Sequence, residues 1–166
     1  KYRRKEDTKL PDMIKIYPCM VTKGSELYDL WKAGEYTPYS NEELENLICE
    51  IKKIVPYHVR IMRLIRDIPS SNIEAGSKVS NLRQNAQKKL AKKGLRCKCI
   101  RCRESGLNLA KSDSIQLFKE EYEASEGREI FISYESDDRT TLYSLLRLRL
   151  TKDIFIPELK DCAIIR

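Results

Sequence analysis

The sequence predicts an α/β protein in which a βαβ segment, a basic cysteine-containing linker and a run of antiparallel strands follow one another. The 166 residues are 41% hydrophobic, which is enough apolar material for a core, and 34% charged. Residues 13–65 follow the order strand, helix, strand, which is typical of a parallel βαβ unit. After Gly106 the apolar residues alternate with a period of two, which indicates antiparallel strands.

The first part of the chain contains the elements of the βαβ unit. Residues 13–18 predict a short strand that ends at a proline, and residues 25–33 predict a short helix that ends at a glycine. Ser40 begins a longer helix, with Glu43 in the position of a capping box. Residues 59–65 are rich in β-branched and long apolar side chains, which predicts the second strand.

The second part of the chain has a different pattern. Residues 67–79 are rich in Pro, Gly, Ser and Asn, which predicts a loop, and Ser80 begins a helix that runs through Lys93. The predicted strands that follow are residues 118–125, 129–135, 141–150 and, at the end, 163–165. One parallel pair is not a domain, so we expect a piece of a longer protein, with residues 1–10 a tail or a segment not contiguous with the rest.

Positive charge is concentrated around three cysteines. Residues 60–103 contain 13 Lys and Arg against 2 Asp and Glu, whereas residues 1–59 are balanced and residues 104–166 contain 9 against 13. Cys97, Cys99 and Cys102 lie inside the basic segment with CxCxxC spacing. A cationic surface around a small metal site predicts nucleic-acid binding, although a charge run is more often only a solvated face.

Three thiols in one tight loop are a predicted metal site. Zinc with four ligands is the favoured interpretation, an iron–sulfur cluster or another metal is the next, and free thiols remain open. The fourth ligand is left open between His58, Glu104, water and one of the remaining cysteines. Those cysteines, which are predicted to be small core residues in apolar surroundings, are Cys19, Cys49 and Cys162.

Three arginines lie in and beside the second predicted strand. Arg60, Arg63 and Arg66 need a partner or an anionic ligand there, and Asp67 is a candidate partner for one of them. Since a guanidinium matches phosphate geometry, anion binding is as good an interpretation as internal pairing. No Ser/His/Asp grouping, P-loop or GxGxxG is present, and His58, the only histidine, is predicted to be structural.

Several motifs in register resemble those of one enzyme family. They are IMRLIRDIP at 61–69, SNLRQ at 80–84, CKCIRCRE at 97–104, KIYPC at 15–19, LYDLW at 27–31, LRLR at 146–149 and PEL at 157–159. Together they resemble the archaeal form of the catalytic subunit of Elongator, the Elongator protein 3 family, over residues 11–166.

The resemblance implies three regions. Residues 11–75 resemble the C-terminal part of a radical S-adenosylmethionine domain, a partial TIM barrel. Residues 76–106 resemble its zinc-binding linker, and residues 107–166 resemble the first strands of a GNAT-type acetyltransferase domain. The implied activity is carboxymethylation of the wobble uridine of tRNA, from acetyl-CoA and a radical derived from S-adenosylmethionine.

Of the cofactors of the family, only zinc is expected to bind within this chain. Zinc would be held by Cys97, Cys99 and Cys102. The motifs for the 4Fe–4S cluster, for S-adenosylmethionine and for acetyl-CoA would lie outside the chain, so no catalytic residue is predicted here and the piece alone is expected to be inactive. The resemblance and the charge together predict a tRNA surface made of Arg60, Arg63, Arg66, Lys78, Arg83, Lys88, Lys89, Lys92, Arg96, Arg101 and Arg103.

The expected partner is the anticodon region of tRNA in the cytoplasm, with other Elongator subunits or a second copy as further candidates and no membrane. Two alternatives stay open. One is a non-catalytic module for nucleic-acid binding or complex assembly, and the other is a protein or histone acetyltransferase, which has no need of a basic linker.

Overall fold

A computed structural model describes residues 10–106, 114–125, 127–151 and 156–166. The chain divides into two compact units, one formed by Met13–Cys99 and the other by Ile100–Arg166 together with the residues up to Asp12. The division falls inside the cysteine run. The predicted N-terminal tail, except for its last residue, lies outside the described residues.

The first unit contains the predicted βαβ arrangement. Strand β1 (Met13–Lys15) pairs in parallel with β3 (Arg60–Arg63), and Ile14 lies opposite Ile61. Between them in sequence lie α1 (Glu26–Lys32) and α2 (Asn41–Ile54). The predicted capping box is present, because the Ser40 hydroxyl accepts from the backbone N–H of Glu43 while the Glu43 carboxylate accepts from the backbone N–H of Ser40.

Helix α3 (Leu82–Ala91) packs on α2 through a thin apolar stripe. Leu82, Ala86 and Leu90 are all buried, and they recur at helical spacing. Asn85 adds a polar contact by donating from Nδ2 to Glu45 Oε1 at 2.7 Å. The basic side chains of α3 therefore occupy the part of the helix surface that is not used for packing.

The segment predicted to be a loop contains regular structure. Strand β4 (Ile73–Ala75) pairs antiparallel with β2 (Val21–Thr22), and a 3-10 turn (Ser70–Asn72) precedes it. Gly76 follows at φ 110°, and a Cβ there would lie 3.3 Å from the carbonyl oxygen of Cys19. The loop prediction for 67–79 was wrong over β4, because strands of two or three residues leave no periodicity to detect.

The second unit is a four-stranded antiparallel sheet. Its strands are β5 (Ile115–Ala124), β6 (Gly127–Ser136), β7 (Leu142–Thr151) and β8 (Ala163–Ile165), in that spatial order. The short helix α4 (Ile100–Arg103) begins the unit, and a 3-10 turn (Pro157–Leu159) precedes β8. The prediction of antiparallel strands after Gly106 is confirmed.

One face of the central strand β6 combines apolar packing with buried charge. Ile100, Phe131 and Leu142 form a small apolar cluster, with Tyr122 packed against it. Glu129 and Glu135 lie on the same face of β6 as Phe131 and are 1% and 0% exposed. Among the residues described, no helix is of sufficient length and hydrophobicity to cross a bilayer.

Candidate metal centre and nucleic-acid interface

Three cysteines converge in the way that the CxCxxC spacing predicts. The Sγ atoms of Cys97, Cys99 and Cys102 all lie within 4.8 Å of one another. Cys99 immediately precedes α4 and Cys102 lies within it, so that one helical turn places their side chains on the same side. Cys97 and Cys99 are buried and Cys102 is half-buried. A metal ion bound here would be shielded from water on most sides.

The donor set fits a thiophilic metal ion. Three thiolates supply three of the four positions of a tetrahedral zinc site. Within the described residues, no fourth Cys, His, Asp or Glu joins the cluster, and the buried His58 lies outside it. The fourth position is therefore open to water or to a ligand from elsewhere.

The other cysteines have separate environments. Cys49 is buried, as predicted, and burial raises the pKa of its thiol. Cys19 and Cys162 are exposed, so the prediction that they are core residues was wrong. Cys19 hydrogen-bonds to Tyr36, and this bond, with a smaller contribution from burial, raises the pKa of the Tyr36 hydroxyl to about 12. Cys162 contacts the carbonyl oxygen of Glu158 at 3.7 Å.

Helix α4 is anchored within the second unit on both sides of Cys102. Ile100 contributes to the apolar cluster on β6, and Arg103 Nη1 lies 2.7 Å from Glu135 Oε1 with both side chains buried. Glu135 also accepts from Arg139 Nε at 2.9 Å and from Ser133 Oγ at 2.6 Å. Burial alone would raise the pKa of Glu135, but these three donors outweigh it and hold the pKa below its ordinary value.

Arg103 was predicted to face RNA, and the structure gives it a different position. Its residue is 4% exposed and its guanidinium is paired with Glu135. A buried, paired guanidinium cannot contact a phosphate without breaking the ion pair, so Arg103 is not part of an accessible RNA surface. The sequence signal was misleading because Glu135 lies 32 positions further along the chain.

Arg63 and Arg83 are also engaged within the protein. Arg63 Nη1 lies 2.5 Å from Asp67 Oδ2, which is the internal pairing considered for this cluster, and both groups are solvent-exposed. Arg83 is half-buried and donates from Nη2 to the carbonyl oxygens of Ile61 and Met62 at 2.9 and 3.2 Å. Arg83 thereby ties α3 to β3, whereas Arg63 stays accessible.

The remaining predicted cations form an accessible set. Arg96 and Arg101 are exposed, and Arg101 makes an exposed ion pair with Glu104 at 3.1 Å, while Arg60 and Lys89 are half-exposed. Lys78, Lys88 and Lys92 are exposed and make no ion pair with any described residue. Lys88 and Lys92 are one helical turn apart, so they project from one side of the helical end.

Two aromatic contacts were not predicted. The Arg66 guanidinium lies 5.9 Å from the centre of the Tyr17 ring, and the Lys98 ammonium lies 5.4 Å from the centre of the Tyr57 ring. Tyr17 is 40% exposed. Exposed aromatic rings beside cations are the surfaces on which unpaired bases stack. The signal in the sequence was a tyrosine close to each predicted strand, since Tyr17 lies within residues 13–18 and Tyr57 lies two positions before residues 59–65.

The fold and the site define an α/β protein with a candidate thiolate metal centre beside a strongly cationic surface. Residues 11–92 match the Radical_SAM C-terminal domain family. The chain is 48% identical over 157 residues to a protein of Methanocaldococcus jannaschii named tRNA uridine(34) acetyltransferase, covering 91% of this chain and 29% of that protein. It is 39% identical over 161 residues to Elongator complex protein 3 of Drosophila melanogaster, covering 93% of this chain and 29% of that protein.

A solved structure agrees with this assignment. The archaeal Elp3 of Methanocaldococcus infernus, with its N-terminus deleted, superposes with a TM-score of 0.81 at 47% identity, covering 89% of this chain and 36% of that one. The chain belongs to the Elongator protein 3 family, and the predicted fold class, a radical SAM C-terminal segment followed by an antiparallel sheet, is confirmed. The chain spans about 30% of the length of the curated relatives it matches.

Proposed function

We propose that this chain is the tRNA-binding and metal-linker part of an enzyme that carboxymethylates the wobble uridine of tRNA from acetyl-CoA. The observation on which the proposal rests is the 48% identity, over 91% of the chain, to a protein named tRNA uridine(34) acetyltransferase. A radical SAM domain that activates the acetyl group, and a GNAT-type domain that begins with the sheet β5–β8, complete the proposed enzyme.

The cationic surface supports a polyanionic substrate. Lys78, Lys88 and Lys92 have no ion-pair partner among the described residues, and Arg66 is paired only with an aromatic ring. Phosphates in place of the missing carboxylates would neutralise these cations and release counterions. An anticodon loop suits the surface, because single-stranded RNA offers both phosphates and unstacked bases.

The thiolate triad supports zinc in the linker. Cys97, Cys99 and Cys102 would hold the ion, and it would supply rigidity by crosslinking the coil before α4 to the helix itself. The anchoring of α4 by Ile100 and Arg103 fixes the helix that carries Cys102 to the sheet of the second unit. The proposal places the protein in the cytoplasm, where its tRNA substrate is found, and leaves other Elongator subunits as candidate partners.

Binding of labelled tRNA across a salt series tests the proposal, with duplex DNA as competitor. We expect salt-sensitive binding that favours tRNA, because stacking sites add to phosphate contacts. The double variant K88Q/K92Q should reduce the magnitude of the slope of log K against log salt by about 0.7–0.9 for each phosphate that is no longer neutralised.

K160Q, which removes an exposed lysine of the second unit, is the matched control and should leave the slope unchanged. Equal preference for DNA and tRNA would contradict tRNA specificity. Acetylation of a protein substrate by the full enzyme without tRNA binding would favour the protein acetyltransferase alternative.

A further inference from the structure

A cavity of about 310 Å³ lies in the first unit, between the end of β3 and the start of α3. Its volume is at the lower end of the range for small-molecule sites, roughly 300–1,000 Å³. Met20, Ile68 and Ile73 contribute apolar walls. Arg66, Lys78 and Ser77 contribute polar groups. A lining that mixes apolar side chains with cations suits a ligand that has an apolar part and an anionic part.

The two cations of the cavity are not compensated by protein carboxylates. Neither Arg66 nor Lys78 forms an ion pair with any residue that the structure describes. Asp67 also lines the cavity, but its carboxylate is 2.5 Å from Arg63 and is neutralised there. The charge available to a ligand is therefore positive, and two lining cations that are not paired with a carboxylate favour an anionic group such as a phosphate.

Buried hydrogen-bonding capacity points to the same class of ligand. Ser77 is 5% exposed, and its Oγ accepts the backbone N–H of Val79 at 3.3 Å. In the described part of the chain no acceptor receives the Ser77 hydroxyl proton, so the proton is available to a ligand oxygen. Ser80, another lining residue, lies two positions before α3, whose N-cap residue Asn81 makes no side-chain capping bond. The first backbone N–H groups of α3 add partial positive charge at this end.

An aromatic platform accompanies the cations. Arg66, which lines the cavity, lies over the exposed ring of Tyr17 at 5.9 Å. A guanidinium and a tyrosine ring are both surfaces on which a nucleobase stacks. Tyr17 itself does not line the cavity, so its ring would serve a neighbouring base of the same strand and not the base inside the cavity.

We propose that this cavity holds one unpaired nucleotide of the RNA, with its base against Met20, Ile68 and Ile73 and its phosphate at Arg66 and Lys78. The proposal rests on the tRNA-binding function proposed above and assigns to it a specific subsite. A free nucleotide has the same chemistry, but the further unpaired cations on α3 favour a nucleotide that belongs to a strand.

Methyl NMR of the full chain tests this site directly, since Met20, Ile68 and Ile73 are themselves reporters. The probes are tRNA, a short single-stranded RNA, uridine 5′-monophosphate and inorganic phosphate. We expect both RNAs to shift these three methyl signals and to leave those of Ile130 and Ile132 in the sheet unchanged. Uridine 5′-monophosphate should cause the same shifts only at much higher concentration.

Paired variants separate the cavity from the general cationic surface. R66Q and K78Q should each lower single-stranded RNA affinity about tenfold, as expected for loss of a charge-assisted hydrogen bond, and should diminish the methyl shifts. K92Q removes a cation outside the cavity lining and should weaken binding while leaving the shifts at saturation intact.

The outcomes distinguish this site from the function on which it rests. RNA binding without shifts at the three methyls would overturn the nucleotide site and leave tRNA binding standing. Tight binding of the monophosphate without shifts from RNA would also overturn it, in favour of a free nucleotide. Absence of tRNA binding would overturn both.

Discussion

The arginines of the sheet and the cations of the first unit show two uses of the same chemistry. In the second unit, Arg149 Nη1 lies 2.5 Å from the buried carboxylate of Glu129, and Arg139 Nη2, in the turn between β6 and β7, lies 2.6 Å from Glu120. In the first unit, Arg66 and Lys78 have no carboxylate partner among the described residues. Paired cations hold the fold together, whereas unpaired cations are available to a ligand, so that counting charges along the sequence does not separate the two.

The largest expected effect is the loss of stability when a metal ion is removed from the cysteine triad, which lies where the two units meet in sequence. If zinc occupies the triad at about 1,000 times its dissociation constant, a chelator should remove about 4 kcal/mol of stability. The expected result is a lower melting temperature in calorimetry, with the loss reversed by added zinc. C99S should behave like the chelated protein, and C162S, which alters an exposed cysteine outside the triad, is its control.

A melting temperature that a chelator does not change would show that the triad has no structural metal. Metal analysis of the purified chain, by mass spectrometry of the bound ion, identifies the element independently. Iron in place of zinc would support the iron–sulfur interpretation that the spacing alone left open.

The next largest effect on stability concerns the buried ion pairs of Glu135 in the second unit. E135Q should destabilise the protein by about 3 kcal/mol, because it removes the carboxylate that pairs with the buried Arg103 and one of the two carboxylates that pair with Arg139. E121Q, which breaks the solvent-exposed contacts with Arg128 and Lys119, should cost far less, because exposed ion pairs contribute little to stability. Urea denaturation measures both, and equal costs would show that burial does not separate the two kinds of pair.

Acid titration provides a second readout of the same carboxylate. The pKa of Glu135 is lowered in the folded protein, so the stability it contributes is present above the ordinary pKa of a glutamate, about 4.3, and is lost as the pH falls through its folded value. E135Q should therefore reduce the dependence of stability on pH in that acidic window. An unchanged acid profile in E135Q would mean that other carboxylates control the acid unfolding.

The smallest expected effect on stability comes from the exposed ion pair of Arg63 and Asp67. The same two residues test most directly whether surface charge contributes to RNA binding. R63Q and D67N remove the same ion pair, so each should change stability by less than about 1 kcal/mol. Their effects on tRNA affinity should be opposite, because R63Q removes a cation and D67N removes an anion from the proposed RNA surface. We expect a few-fold loss and a few-fold gain, measured by filter binding at low salt.

If R63Q and D67N weaken binding equally, the ion pair itself rather than the surface charge would be required. If neither changes binding, the RNA path lies away from the end of β3. The charge-reversing variant R63E should bind tRNA more weakly than R63Q does, and it should remain folded.

The sequence was sufficient for features set by near neighbours. The capping box at Ser40 and Glu43 and the convergence of the three cysteines follow from short spacings. The parallel pairing of β1 with β3 follows instead from the order strand, helix, strand. Local periodicity was also sufficient for the long strands β5, β6 and β7, because an alternating pattern is easier to recognise over ten residues than over two or three.

What could not be predicted depends on partners that are distant in the chain. β2 pairs with β4 about 50 positions later, and no local pattern reports such a pairing over two or three residues. Arg103 lies in the most basic segment, yet its partner Glu135 belongs to another element. The cavity was missed for the same reason, since Met20 lies far in sequence from Arg66 and Lys78.

The backbone conformation and the close neighbours of Gly76 restrict which amino acids can occupy the position before Ser77. At Gly34 and Gly94 a Cβ would meet no atom within 4 Å, and φ of 78° and 67° is close to the region that asparagine tolerates. At Gly76, φ is 110°, and the backbone of Cys19 and Met20 lies 3.3–3.4 Å from the position that a Cβ would occupy. Homologous chains can therefore carry asparagine at the first two positions with little strain. A side chain at Gly76 would be strained by its backbone conformation and would press against the backbone of Cys19 and Met20.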